Sequence, residues 1–156
     1  MKPSIRWLVP LLVLLVGCSL EGPEERAIRQ MVETFVAALD KGDDDLASAC
    51  LLDLQGFKLL NPDVSARVEA ESFTASTLAE LVQSYRNMKN YFADRDIELK
   101  QFQLGVPFYQ YKGHSAFRDS RVVVQAGDDK VEFVIMGIVR IGDRWVIVDL
   151  SGNDLF

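Results

Sequence analysis

Between residues 24 and 39 the apolar positions are Ile28, Met31, Val32, Phe35, Val36 and Leu39, the spacing of a helix that buries one face. Glu24 and Glu25 suit the positive end of its dipole, and Gly42, directly after Lys41, supplies a left-handed stop. The cluster Asp43-Asp44-Asp45 offers N-cap acceptors for a second, shorter helix running to about Leu52. Residues 54–74 mix polarity around Gly56 and Asn61-Pro62 and read as a connecting loop with room for one turn of helix. Thr77-x-x-Glu80 then forms a capping box. Behind it Leu78, Leu81, Val82, Tyr85, Met88, Tyr91 and Phe92 make the stripe of a third helix ending near Ala93.

Beyond Ala93 the period changes from helix to strand. Ile97 and Leu99 alternate with Glu98 and Lys100, but Phe102, Leu104 and Val106 stand in the opposite phase, which predicts a bulge near Lys100-Gln101. Residues 107–118 are aromatic-rich and read either as a long loop or as two short edge strands. Residues 121–126, 131–141 and 144–151 are strands separated by Gly127-Asp128-Asp129-Lys130 and Gly142-Asp143, so two hairpins follow in succession.

Register follows from the turns. Pairing Val139 with Val146, Gly137 with Val148, Ile135 with Leu150 and Ala126 with Val131 gathers Val122, Val124, Phe133, Ile135, Val139, Val146, Val148 and Leu150 on one face. That face must pack on the helices. The other face carries Val134, Met136, Ile138, Trp145 and Ile147 in its middle, where a two-layer domain would meet water. Either the aromatic segment 108–117 covers these five or a second copy does; a homodimer through this face is the expected state.

The start of the chain has a different character. Lys2 and Arg6 precede a non-charged run from Trp7 to Val16, and no acidic residue stands before Glu21. This is the build of a secretory leader, with an apolar run too short to span a bilayer permanently. Leu15-Val16-Gly17-Cys18 resembles the lipobox of bacterial lipoproteins. The resemblance implies a signal peptide over 1–17, a lipidated Cys18 carrying palmitate-type acyl chains as the first mature residue, a tether over 18–23 and a single domain over 24–156. It places the protein in the cell envelope, and Ser19 after the cysteine points to the outer membrane, facing the periplasm, in a Gram-negative source. Two or three acyl chains would hold it to the membrane stably.

Charge narrows the partners. Removing residues 1–17 takes two of the 17 basic residues and none of the 23 acidic ones, leaving 15 against 23, a net charge of −8. That excludes nucleic acid and a polybasic grip on anionic lipid. With Cys18 acylated, Cys50 has no disulfide partner, and its apolar helical context marks a buried, inert thiol. The three adjacent aspartates lack the alternate spacing of a calcium loop, and no zinc spacing, nucleophile elbow, phosphate loop or dinucleotide fingerprint occurs.

The helices, the hairpins and the closing Gly142-Asp143-Arg144-Trp145-Val146-Ile147-Val148-Asp149-Leu150 are similar to the nuclear transport factor 2-like superfamily. The resemblance spans roughly residues 24–151 and implies an α+β fold, with N-terminal helices packed on a curved, cone-shaped antiparallel sheet. Dehydratases and isomerases of that superfamily place an acid or base inside the cone, whereas here the strand positions expected to line it are aliphatic. Only Asp149, among apolar neighbours, and His114, the single histidine, offer polar chemistry near a pocket. The expected function is therefore that of a membrane-anchored envelope protein without catalytic residues, cofactor or metal, binding a small apolar ligand, a lipid or a protein partner. A small dehydratase or isomerase is the alternative.

Overall fold

The computed structural model describes residues 21–65, 70–109, 111 and 113–150. Cys18 with its leader, and the end of the chain from Ser151, lie outside the described residues.

Helix α1 spans Pro23–Lys41 and buries Ile28, Val32, Phe35, Val36 and Leu39. Its end closes on Gly42 in the left-handed region, and the Asp43 amide donates to the Ala38 carbonyl at 2.9 Å. Asp43 then caps α2, Asp44–Cys50, accepting from the Leu46 amide at 2.9 Å. The segment expected to be mainly loop is mainly helix: α3 spans Leu54–Leu60 and α4 spans Pro62–Ser65. Gly56, which suggests a break, is instead a contact. Its amide donates to the capping Asp53 carboxylate at 2.7 Å, and a Cβ there would stand 2.8 Å from Ile141 Cδ1. Pro62 occupies the first position of α4, where its missing amide costs nothing.

Helix α5 runs over Ala70–Phe92, so Thr77 lies inside the helix and not at its start. No glycine or proline stands between Pro62 and Gly105 to stop a helix earlier. The capping-box residue Glu80 instead accepts from Ser76 Oγ at 3.3 Å. Leu81, Tyr85, Met88 and Phe92 form the buried stripe, with the Tyr85 ring against Phe35 of α1.

The strands β1 (Ile97–Gln103), β2 (Val106–Pro107), β3 (Ala116–Ala126), β4 (Asp129–Ile141) and β5 (Arg144–Asp149) form one antiparallel sheet in the order β1-β3-β4-β5. β2 pairs with the first residues of β3 beyond the end of β1. The bulge in β1 falls at Lys100, where expected, between the pairs Leu99–Val124 and Gln101–Val123. Between β1 and β2 the chain passes so close to Arg118 that a Cβ on Gly105 would lie 1.8 Å from that carbonyl, and the Gly105 amide donates to buried Ser120 Oγ at 3.0 Å. The aromatic segment thus contributes one short edge strand and the start of β3.

Two register expectations are corrected. Ala126 pairs with Asp129, not Val131, because Gly127-Asp128 alone makes the turn. A shift of two residues keeps every side chain on its face, so Val122, Val124, Phe133 and Ile135 are still buried together. At the other hairpin Val139 does face Val146, but an irregularity follows Ile138–Ile147 and sets Gly137 opposite Asp149 instead of Val148. A Cβ on Gly137 would lie 2.6 Å from Val148 Cγ2 and 3.5 Å from Asp149 Cβ, so the bulge requires glycine beneath it.

The outer apolar patch is also corrected. Ile138 and Ile147 are fully buried and Trp145 is 6% exposed, leaving Val134 half-buried and Met136 39% exposed. The connector after α2 runs beside β5, with Leu51 paired in parallel with Ile147 and the Leu52 amide donating to the Ile147 carbonyl at 2.9 Å. Trp145 packs on Phe117, ring centroids 5.8 Å apart, and shares a groove with Met31 and Thr34 of α1 and Cys50 of α2. Three of the five candidate interface residues therefore belong to the interior, and the patch no longer argues for a dimer.

Gly137→Ala should force Val148 out of the bulge and lower stability by about 1–3 kcal/mol, the usual cost of overpacking. Urea unfolding measures it; an unchanged midpoint would contradict the steric account.

Candidate functional site

Past the β5 bulge the sheet and α5 part. A cleft of about 460 Å³ opens between them, with Thr77, Glu80, Leu81, Gln83, Ser84 and Asn87 on the helix side. Tyr111, Val148, Asp149 and Leu150 form the other wall. Seven of these ten residues are polar, so the cleft offers hydrogen-bond partners on both walls, with Leu81, Val148 and Leu150 between them. Thr77, Glu80, Ser84 and Asn87 stand three and four residues apart, a polar stripe beside the buried Leu81, Tyr85 and Met88.

Asp149, one of the two expected pocket residues, lies in this cleft. Partial burial raises its carboxyl above the ordinary range, the Leu150 amide works against that, and the negative charge of Glu80 adds to it. The Tyr111 hydroxyl is raised too, by burial first and then by the charge of Asp149. Arg140, on the neighbouring strand, is engaged elsewhere: it reaches Glu24 at 3.9 Å and donates to the Gly142 carbonyl at 3.1 Å. The carboxylate faces the cleft with its own field unneutralised by that arginine.

His114 is not part of this cleft. Its Nδ1 lies 3.0 Å from the Arg140 carbonyl, and because a carbonyl only accepts, Nδ1 carries the proton. It lines a second, shallower groove of about 480 Å³ with Glu24, Phe108, Tyr109 and Phe117. Tyr111 lines both and forms the wall between them, so the two expected polar residues are not brought together.

The remaining reactive groups are occupied. Burial pushes the Cys50 thiol up to about 11, and its Sγ sits 3.6 Å from the Met31 and Leu46 carbonyls. Asp44 accepts from Lys89 at 2.7 Å and from Tyr85 at 3.0 Å, bonds that hold its carboxyl below the ordinary range. Among the described residues no three metal-ligating side chains converge.

Sequence reasoning singled out Asp149 but missed the helix wall, although its signal was present in the polar stripe at 77, 80, 84 and 87. Tyr111 had no local signal, since its place depends on β2 and β3. No family model, curated protein or solved structure matches this chain.

The raised carboxyl makes a test by pH. The native state keeps a proton on Asp149 over a window where the unfolded chain has lost it, so stability falls as pH rises from the ordinary aspartate range through the raised value. Asp149→Asn should therefore melt above wild type at neutral pH, and the gain should vanish in acid where both states are protonated. Calorimetry across pH measures it. An equal gain at every pH, or a loss at neutral pH, would contradict the assignment.

Proposed function

We propose that this chain is a lipid-anchored envelope protein whose domain binds a small polar ligand in the cleft between α5 and the end of β5. The observation that carries the ligand reading is the two-walled, polar lining of that cleft, with Asp149 turned toward it by the bulge over Gly137. Of the expected occupants, a small apolar ligand, a lipid or a protein partner, this reading keeps the small ligand and makes it one that hydrogen-bonds. The anchor rests on the Leu15-Val16-Gly17-Cys18 box and the leader before it. No described helix is long and apolar enough to cross a membrane. Helices followed by an antiparallel meander support a nuclear transport factor 2-like cone, with the cleft at its open end.

A second reading is favoured by one feature. Asp149, with its raised carboxyl, shares the cleft with Glu80 and Tyr111, and convergent titratable groups also suit a dehydratase or isomerase. Binding is preferred because the polar lining is spread over both walls rather than gathered at one pair of groups, and Asp149 is exposed.

Two experiments test the proposal. Radiolabelled palmitate should enter wild type and not Cys18→Ser; equal labelling would remove the anchor. In a thermal-shift screen of small polar metabolites, a ligand at about 100 times its Kd should add about 2.7 kcal/mol of stability to wild type. Ser84→Trp, which fills the cleft from the α5 side, should fold and lose that shift. A ligand that stabilises both proteins equally would place binding elsewhere.

A further inference from the structure

Among the described residues Tyr109 is the most exposed large apolar side chain, at 89%, and Val106, three residues earlier, is 52% exposed. The backbone leading to Tyr109 is paired with β3. β2 pairs Val106 with Arg118 and Pro107 with Phe117, and the Phe108 amide donates to the Ala116 carbonyl at 2.8 Å. The Phe108 ring lies edge-on to Tyr111 at 6.3 Å and beneath the Arg118 guanidinium at 5.7 Å. Tyr109 is thus a projecting ring on an ordered base.

The position of this segment relative to the start of the chain says what covers it. Glu24, in the first turn of α1, lines the same groove as Phe108 and Tyr109. Arg140 ties the two together: its guanidinium reaches Glu24 at 3.9 Å, its amide donates to the Ser115 carbonyl at 2.9 Å, and its carbonyl holds His114. Glu21 is itself fixed by an ion pair with Arg29. Only three residue steps separate Glu21 from Cys18, a reach of at most about 11 Å even fully extended.

We propose that the aromatic segment around Tyr109 rests on the bilayer interface beside the lipid anchor, and so fixes the orientation of the domain on the membrane. The inference rests on the anchor proposed for Cys18. A lipidated Cys18 lies at the membrane surface, and the short tether leaves the Glu24 end of the domain no room to stand away from it. Tyrosine is suited to that depth, because its ring lies among acyl carbonyls while its hydroxyl stays hydrated. The domain carries net negative charge, so the contact draws on the aromatic rings and the acyl chains rather than on attraction to anionic lipid. Tyr111, behind Tyr109, also lines the ligand cleft, so the membrane-facing side and the cleft share a wall.

The test uses the mature, acylated protein in vesicles of phosphatidylethanolamine and phosphatidylglycerol containing phospholipid brominated near the ester carbonyls. Tyr109→Trp introduces an indole at the proposed contact. Asp128→Trp introduces one at the β3–β4 turn, at the far end of β3, ten residues or about 33 Å along the strand from Ala116. Brominated lipid should quench the added emission of Tyr109→Trp about twofold, as for a ring at headgroup depth, and leave that of Asp128→Trp unchanged. Intact mass of the same sample reports the acyl chains independently. Correct acyl mass without quenching of Tyr109→Trp, or equal quenching at both sites, overturns the orientation and leaves the anchor standing. A blue-shifted but unquenched Tyr109→Trp means that a protein or a second copy covers the segment, which also overturns it. Absence of the acyl mass removes the anchor itself.

Discussion

The structure depends on burying one face of the β3–β4–β5 meander beneath helices that come earlier in the chain. Val122, Val124, Ile135, Val139 and Val146 are fully buried there, as are Ile28, Val32 and Phe35 of α1. Each such side chain contributes roughly 1.5–3 kcal/mol. α1 reaches several other elements, packing on α2, β1, α5 and β5. Its far end is fixed where Asp40 accepts from the Ile97 amide at 2.8 Å, which sets the helix layer against the first strand. The bulge over Gly137 follows from the same demand. It lets β5 turn away while Leu150 stays in the core, and the cleft opens where α5 and β5 then separate.

Features with a local cause were legible in the sequence. The α1 stripe, its Gly42 stop, the Asp43 cap and the Lys100 bulge each depend on a few neighbouring residues, and all appear as expected. Features with a distant cause were not. Gly56 reads as a breaker until Ile141, far along the chain, is seen to need the space. The β5 bulge depends on Val148 meeting Gly137 across a strand pair. Trp145, Ile138 and Ile147 look exposed from the period of their strands. Their cover comes from residues of α1, from Phe117 and from the Leu51-Leu52 connector lying beside β5. Asp149 could be found because a carboxylate among apolar neighbours is conspicuous. The stripe of Thr77, Glu80, Ser84 and Asn87 was visible but carried no meaning by itself, because a polar helix stripe is usually just a solvated face.

Anchor, aromatic segment and cleft form one arrangement under the proposed reading. The tether enters at the Glu24 end, the aromatic segment lies beside it, and Tyr111 passes from that segment into the cleft wall. A ligand would then bind close to the membrane surface, in a cleft whose polar groups come from a rigid helix on one side and a strand end on the other. Rigid walls reduce the ordering cost of binding, which suits recognition of a small ligand with few contacts.

Anchor and ligand meet in one proposed species, an acylated chain holding a small polar molecule in the cleft. Native mass spectrometry of the protein extracted gently from its own membranes detects both at once. The expected spectrum shows a chain beginning at Cys18 with covalent acyl mass, and a non-covalent small-molecule adduct that dissociates on collisional activation. A chain that retains residues 1–17, or an acylated chain that never carries such an adduct, would contradict it.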